Sequence, residues 1–108
     1  MAASRRCREK FRSALHALAV REGDVRERLR GAHFYLRMLS PEGVPTQYRG
    51  EYESIMTSLT RKGAELGPNG EIYKTALNNT LDNIRNSTGR RIAEQIYLLA
   101  VSIDTPRS

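Results

Sequence analysis

The stretch EIYKTALNNTLDNIRNSTGRRIAEQIYLLAVSI, residues 71–103, decides the predicted fold. From Leu77 to Ile103 its apolar positions recur at steps of three or four, which places them on one face of an α-helix. The spacing is not reset at residues 86–89, where a break in the helix would normally reset it. We therefore predict one long C-terminal helix over about 71–103, with two helices capped at Ser87 as the alternative.

Three shorter helices are predicted before it, over about 3–21, 24–39 and 46–61. Asp24 is a typical N-cap residue, because its carboxylate can accept hydrogen bonds from the free backbone N–H groups of the first turn. Pro41 ends the second helix, since proline lacks the backbone donor that a helix interior requires. The predicted fold is therefore an all-α bundle of three shorter helices packed on one long C-terminal helix.

Length and composition limit the chain to one domain. It has 108 residues, of which 39% are apolar and 28% charged. No run of 18 apolar residues and no signal-peptide pattern occurs, so we predict no membrane segment and a cytoplasmic location. Cys7 is the only cysteine, which excludes an internal disulfide. We expect a single helical domain over 1–103 and a frayed tail at 104–108.

The length of the predicted C-terminal helix indicates a partner. At 1.5 Å per residue it would be roughly 50 Å long, and the shorter helices would cover it only if two of them lay end to end. Part of its apolar stripe would then face water. We predict self-association, or incorporation into a larger protein complex, through these side chains, although the first helix folding back over them is the alternative. The predicted interface residues are Ile92, Ile96, Leu99 and Ile103.

The positive charge is concentrated near the start of the chain. The net charge is +6, and residues 1–30 hold nine Arg or Lys against four Asp or Glu. Such a surface fits an acidic protein or the phosphates of a nucleic acid, unless it is simply solvated. The predicted contact residues lie on one face of the first helix and beside Gly89: Arg5, Arg8, Arg12, His16, Arg90 and Arg91.

A polar stripe also runs along the predicted C-terminal helix. Its members follow helical spacing and are Thr75, Asn79, Asn83, Asn86 and Arg90. Asparagine is a poor residue for a helix interior, so the stripe is either a hydrogen-bonding surface for a partner or an exposed face.

Catalytic and metal-binding patterns are absent from the sequence. The two histidines, His16 and His33, have no paired cysteines or nearby carboxylates for a metal, and no nucleotide-binding loop occurs. We predict no metal, no cofactor, no small-molecule substrate and no enzyme activity. The predicted function is a helical interaction module, or small subunit of a larger assembly, whose basic N-terminal helix contacts an acidic partner. The alternatives are a nucleic-acid-binding regulator and a small ribonuclease, in which Arg26 or Arg28 would act with His33 on one phosphate.

Overall fold

The computed structural model describes residues 3–105. In chain order the elements are α1 (Arg5–Val20), α2 (Val25–Leu36), a 3₁₀ turn (Pro41–Gly43), α3 (Thr46–Leu59), β1 (Glu65–Leu66), β2 (Ile72–Lys74), α4 (Ala76–Leu81) and α5 (Asn86–Asp104). The predicted all-α class, with three helices packed on a long C-terminal one, is confirmed. Within the described residues, no helix is long and apolar enough to cross a membrane.

Side-chain caps fix where the first two helices begin. The Ser4 hydroxyl accepts a hydrogen bond from the Cys7 backbone N–H, which starts α1. Asp24 starts α2 as predicted, because its carboxylate accepts from the backbone N–H groups of Arg26 and Glu27. Such caps satisfy donors that the helix itself leaves free.

The core lies around α5, which packs against α1, α2 and α3. Its fully buried members include Phe11, Leu29, Leu36, Ile55, Leu59, Leu81, Ile96 and Leu99. Tyr52 ties α3 to the end of α2, since its buried hydroxyl lies 2.9 Å from the Leu36 carbonyl oxygen and 2.8 Å from that of Leu39.

The single helix predicted over 71–103 is wrong in its extent. Residues Ile72–Lys74 form β2, which pairs antiparallel with β1, and α4 is a separate helix of six residues. The chain then turns, and α5 begins at Asn86 after Arg85 adopts extended backbone angles. The break leaves the apolar spacing intact, because Leu81 before it is buried and Ile84 within it packs against the same core.

Two members of the polar stripe, Thr75 and Asn79, bond to backbone groups rather than lining a free helix face. Thr75 caps α4 by accepting from the Asn78 backbone N–H, and the Asn79 side chain donates to the Gly63 carbonyl. Asp82 lies 2.7 Å from Arg30 and 2.6 Å from Lys74. Asn79 and Asp82 therefore tie α4 to the turn after α3, to α2 and to β2.

The predicted exposure of the C-terminal stripe is also wrong. Its four members, Ile92, Ile96, Leu99 and Ile103, are all buried within the chain itself. The shorter α5 is about 28 Å long at 1.5 Å per residue, so α1, α2 and α3 cover its apolar face. These side chains therefore cannot form the interface predicted for them.

The end of α5 differs from the predicted frayed tail. Asp104 is the last residue of α5, and one of its carboxylate oxygens lies 3.0 Å from Arg12. The Thr105 backbone N–H donates to the Val101 carbonyl, which closes the helix. The remainder of the predicted tail, residues 106–108, lies outside the described residues.

Candidate anion-binding cleft

Most cations of the first two helices are already paired. Five arginines make six ion pairs: Arg5–Glu9, Arg12–Asp104, Arg21–Glu27, Arg26–Asp24, Arg30–Glu27 and Arg30–Asp82. Arg6 donates to the Met38 carbonyl oxygen, and Arg28 donates to those of Gly23 and Leu18. The basic excess of this region is therefore largely compensated on its own surface.

The predicted contact face on α1 follows this pattern. Arg5 and Arg12 are exposed, but each has a carboxylate within 3.2 Å. His16 is exposed and Arg8 is half-buried, and neither makes an ion pair within residues 3–105. The face therefore exists as predicted, although two carboxylates lie within it.

The alternative ribonuclease residues are not brought together. Arg26 binds Asp24 through two nitrogens, and Arg28 is held by backbone carbonyls. His33 lines a different concavity from Arg26. Burial, followed by the nearby Arg37, lowers the pKa of His33, so the imidazole is neutral at pH 7. Neither Arg26 nor Arg28 lines the concavity that His33 lines.

A cleft of about 260 Å³ lies where the end of α3, α4 and the start of α5 meet. Three cationic side chains line it: Arg61, Lys62 and Arg91. Its other walls carry hydroxyl and amide groups from Ser58, Thr80, Thr88, Asn83 and Gln95, and an apolar floor from Ile84 and Ile92. None of the described residues that line it is acidic. We call this site the basic cleft.

A tight turn after α3 positions two of the cations. The Gly63 backbone N–H donates to the Thr60 carbonyl at 3.0 Å, and Gly63 has a φ of +72°, which only glycine adopts readily. The Lys62 backbone N–H donates to the buried Thr80 hydroxyl at 2.9 Å. The turn is thus tied to α4, and Arg61 and Lys62 project from it with exposed side chains.

The third cation comes from the first turns of α5. Thr88, Arg91 and Gln95 are spaced at three and four residues, which places them on one helix face. No acidic residue occupies the first turn of α5, and no side chain caps it. The partial positive charge of the helix N-terminus therefore adds to the field of the cleft.

The cations around the cleft are free of acidic partners. Within the described chain, Arg61, Lys62 and Arg91 make no ion pair, and neither do the neighbouring Arg85 and Arg90. Of the two arginines predicted beside Gly89, Arg91 lines the cleft and Arg90 does not. Gly89 itself admits no ligand, because a Cβ there would lie 2.8 Å from the Val25 side chain.

The lining residues determine which chemistry the cleft can support. None of those described is a histidine, cysteine, aspartate or glutamate, so the cleft holds no imidazole, thiol or carboxylate group. Residues 3–105 also hold no cluster of three or more such side chains that would suit a metal ion. Guanidinium, ammonium, hydroxyl and amide groups donate hydrogen bonds to oxyanions. The arrangement is suited to binding an anion.

Cys7 lies in the core and takes no part in the cleft. It is fully buried, and burial raises the pKa of its thiol, although the nearby Arg8 partly offsets this effect. A buried thiol of this kind is a small apolar packing residue rather than a nucleophile.

Arg61 and Lys62 are the site residues that the sequence interpretation missed. They follow the end of a helix rather than forming a stripe along one helix face, so helical periodicity does not single them out. The available signal is the adjacent pair Arg61–Lys62 next to Gly63, immediately after the predicted third helix.

Comparison with known proteins gives no match: no family model, curated protein or solved structure is significantly similar to this chain.

Proposed function

We propose that this chain is a non-enzymatic helical binding module that holds an acidic macromolecular partner in the basic cleft. The observation that carries the proposal is the set of three unpaired cations around one concave site. Arginine and lysine that have no acidic neighbour attract an anion without first displacing one. The hydroxyl groups of Ser58 and Thr88 supply further hydrogen bonds to the anion.

The cationic face of α1 is a weaker docking surface by the same argument. Exposed ion pairs are individually weak, so a ligand can open them. However, Glu9 and Asp104 would remain beside Arg5 and Arg12 and repel a polyanion. We therefore assign the acidic partner to the basic cleft rather than to the N-terminal helix.

Heparin, a dense polyanion, tests this assignment by isothermal titration calorimetry. We expect Arg61→Ala/Lys62→Ala/Arg91→Ala to lose most of the affinity of the unaltered chain. The matched control is Arg5→Ala/Arg8→Ala/Arg12→Ala, which removes the same three charges from α1 and should retain most of it. Thermal unfolding by circular dichroism verifies that both variants fold. Equal losses in the two variants would contradict a localised site.

Self-association is a second proposal, and we assign it to a different face of α5 from the one predicted from the sequence. The side chains of Tyr97, Leu98 and Val101 follow helical spacing and are exposed, with Leu98 at 55%. An exposed apolar strip of this kind favours contact with a second copy of the chain. Light scattering should show a dimer that Leu98→Glu abolishes, whereas a monomer at all concentrations would exclude it.

A further inference from the structure

A second concavity, which we call the aromatic concavity, lies between α2 and the start of α4 and is distinct from the basic cleft. It has a volume of about 390 Å³, and Phe34, Arg37, His33 and Leu77 are among its lining residues. Its described walls carry no acidic side chain. This concavity therefore combines cationic groups with an aromatic ring. The apolar side chains of the basic cleft, in contrast, are aliphatic.

Phe34 is an aromatic ring left outside the core. It is 47% exposed, and the Arg37 guanidinium carbon lies 5.0 Å from its ring centroid. Tyr35 packs against the same ring at a centroid distance of 5.2 Å and an angle of 89°, which holds the ring in place. The Arg37 guanidinium lies over the face of the ring, and a nucleic-acid base can stack on a fixed aromatic ring or on a flat guanidinium.

Neighbouring residues at the end of α3 line the two concavities. Thr60 lines the aromatic concavity, whereas Arg61 and Lys62 line the basic cleft. Adjacent Cα atoms are about 3.8 Å apart, so the walls of the two concavities adjoin at this point of the chain. Within the aromatic concavity, the neutral imidazole of His33 has one donor and one acceptor nitrogen for the edge of a base.

We propose that the acidic partner is a single-stranded nucleic acid, with its phosphates in the basic cleft and an unpaired base on Phe34 and Arg37. This inference rests on the proposed function, since the cleft supplies the electrostatic attraction. Stacking requires an unpaired base, so a duplex should bind less tightly. An acidic protein has no bases to stack and would not use Phe34 in this way.

Fluorescence anisotropy with labelled oligothymidylate and oligouridylate tests the inference, and binding of either strand supports it. We expect Phe34→Leu to weaken binding of that strand by about 5- to 150-fold, the range for losing the stacking of one base. Phe34→Tyr should restore it. Heparin has no bases, so its affinity should not change with Phe34→Leu.

Tyr73→Leu is the matched control, because Tyr73 is also exposed, at 74%, but lines neither concavity. It should leave single-strand binding unchanged. Undiminished binding by Phe34→Leu, or a duplex bound as tightly as the single strand, would overturn the proposed stacking of a base on Phe34. The assignment of the basic cleft as the anion site would still stand. Binding of heparin or polyglutamate without either oligonucleotide would also overturn it and would support an acidic protein partner. If no polyanion binds, the proposed function itself fails.

Discussion

Residues 5–30 hold nine of the 18 Lys and Arg residues, whereas three line the basic cleft. In the first region, acidic side chains and backbone carbonyls occupy most of the cations. In the cleft, Arg61, Lys62 and Arg91 have no acidic partner among the described residues. The charge available to a ligand therefore depends on pairing in the folded chain, which a count along the sequence does not measure.

Both regions depend on the buried face of α5, and Ile96 tests that dependence with the largest expected effect. Ile96 is fully buried, so Ile96→Ala should lower the free energy of unfolding by about 2–5 kcal/mol. Urea unfolding followed by circular dichroism should show a single transition. The control Val20→Ala, at an exposed position at the end of α1, should change stability by less than about 0.5 kcal/mol. An oligomer that dissociates in Ile96→Ala without loss of stability would restore the interface predicted from the sequence.

The contact between α2 and the start of α5, which links the two regions, is tested at Gly89. Gly89→Ala places a Cβ 2.8 Å from Val25, and this overpacking should cost about 1–3 kcal/mol. Gly50→Ala is the matched control in the interior of α3, where a Cβ would meet nothing within 4 Å. It should stabilise the chain by about 0.5–1 kcal/mol, because alanine favours helix more than glycine does. A Gly89→Ala variant as stable as Gly50→Ala would contradict the close approach of the two helices.

The stability of the folded chain should decrease in acid because Asp82, the partner of Arg30, becomes protonated. Hydrogen bonds from Lys74, and then from Arg30, hold the pKa of this carboxyl below its usual 3.8. The unfolded chain therefore takes up the proton first as pH falls. The stabilisation by Asp82 is complete above about 3.8 and is lost between that pH and the lower pKa of the folded state.

Asp82→Asn removes this carboxyl and should weaken the pH dependence of stability below 3.8. Urea midpoints measured from neutral to acidic pH provide the comparison with the unaltered chain. A variant with the same acid sensitivity as the unaltered chain would show that the Arg30–Asp82–Lys74 contacts do not form as described.

The smallest effect is expected at the exposed pair of Arg12 and Asp104. Their side chains are 65% and 56% exposed, so Arg12→Ala should lower stability by no more than about 1 kcal/mol. Thermal unfolding at low and high salt measures the change, which should shrink as salt screens the pair. A larger loss that persists at high salt would mean that Arg12 contributes to packing rather than pairing.

Helix periodicity and capping predicted most of the fold. The stripe of Cys7, Phe11 and Ala14 is buried in α1, and Asp24 caps α2. The break before α5 was not predictable from apolar spacing, because Leu81 before it and Ile84 within it keep the helical phase. The contacts that hold α4 in place involve distant groups, such as Asn79 and the Gly63 carbonyl, and local periodicity carries no information about them.

The candidate site was predicted only in part. The sequence pointed to Arg91 because it lies near Gly89. In the structure, however, Gly89 makes room for the Val25 side chain rather than for a ligand. Arg61 and Lys62 join Arg91 only through the turn that Thr80 and Asn79 tie to α4. Whether an arginine is paired depends on partners as distant in sequence as Arg12 and Asp104, so the folded chain was needed to find the unpaired ones.

The salt dependence of oligothymidylate binding tests most directly whether the usable charge lies in the basic cleft. Each phosphate contact on a single strand contributes about 0.7 to the slope of log affinity against log salt. Arg61→Ala/Lys62→Ala/Arg91→Ala should therefore lower the magnitude of that slope by about two, whereas Arg5→Ala/Arg8→Ala/Arg12→Ala should leave it unchanged. A slope that falls with the α1 variant and persists in the cleft variant would contradict the account.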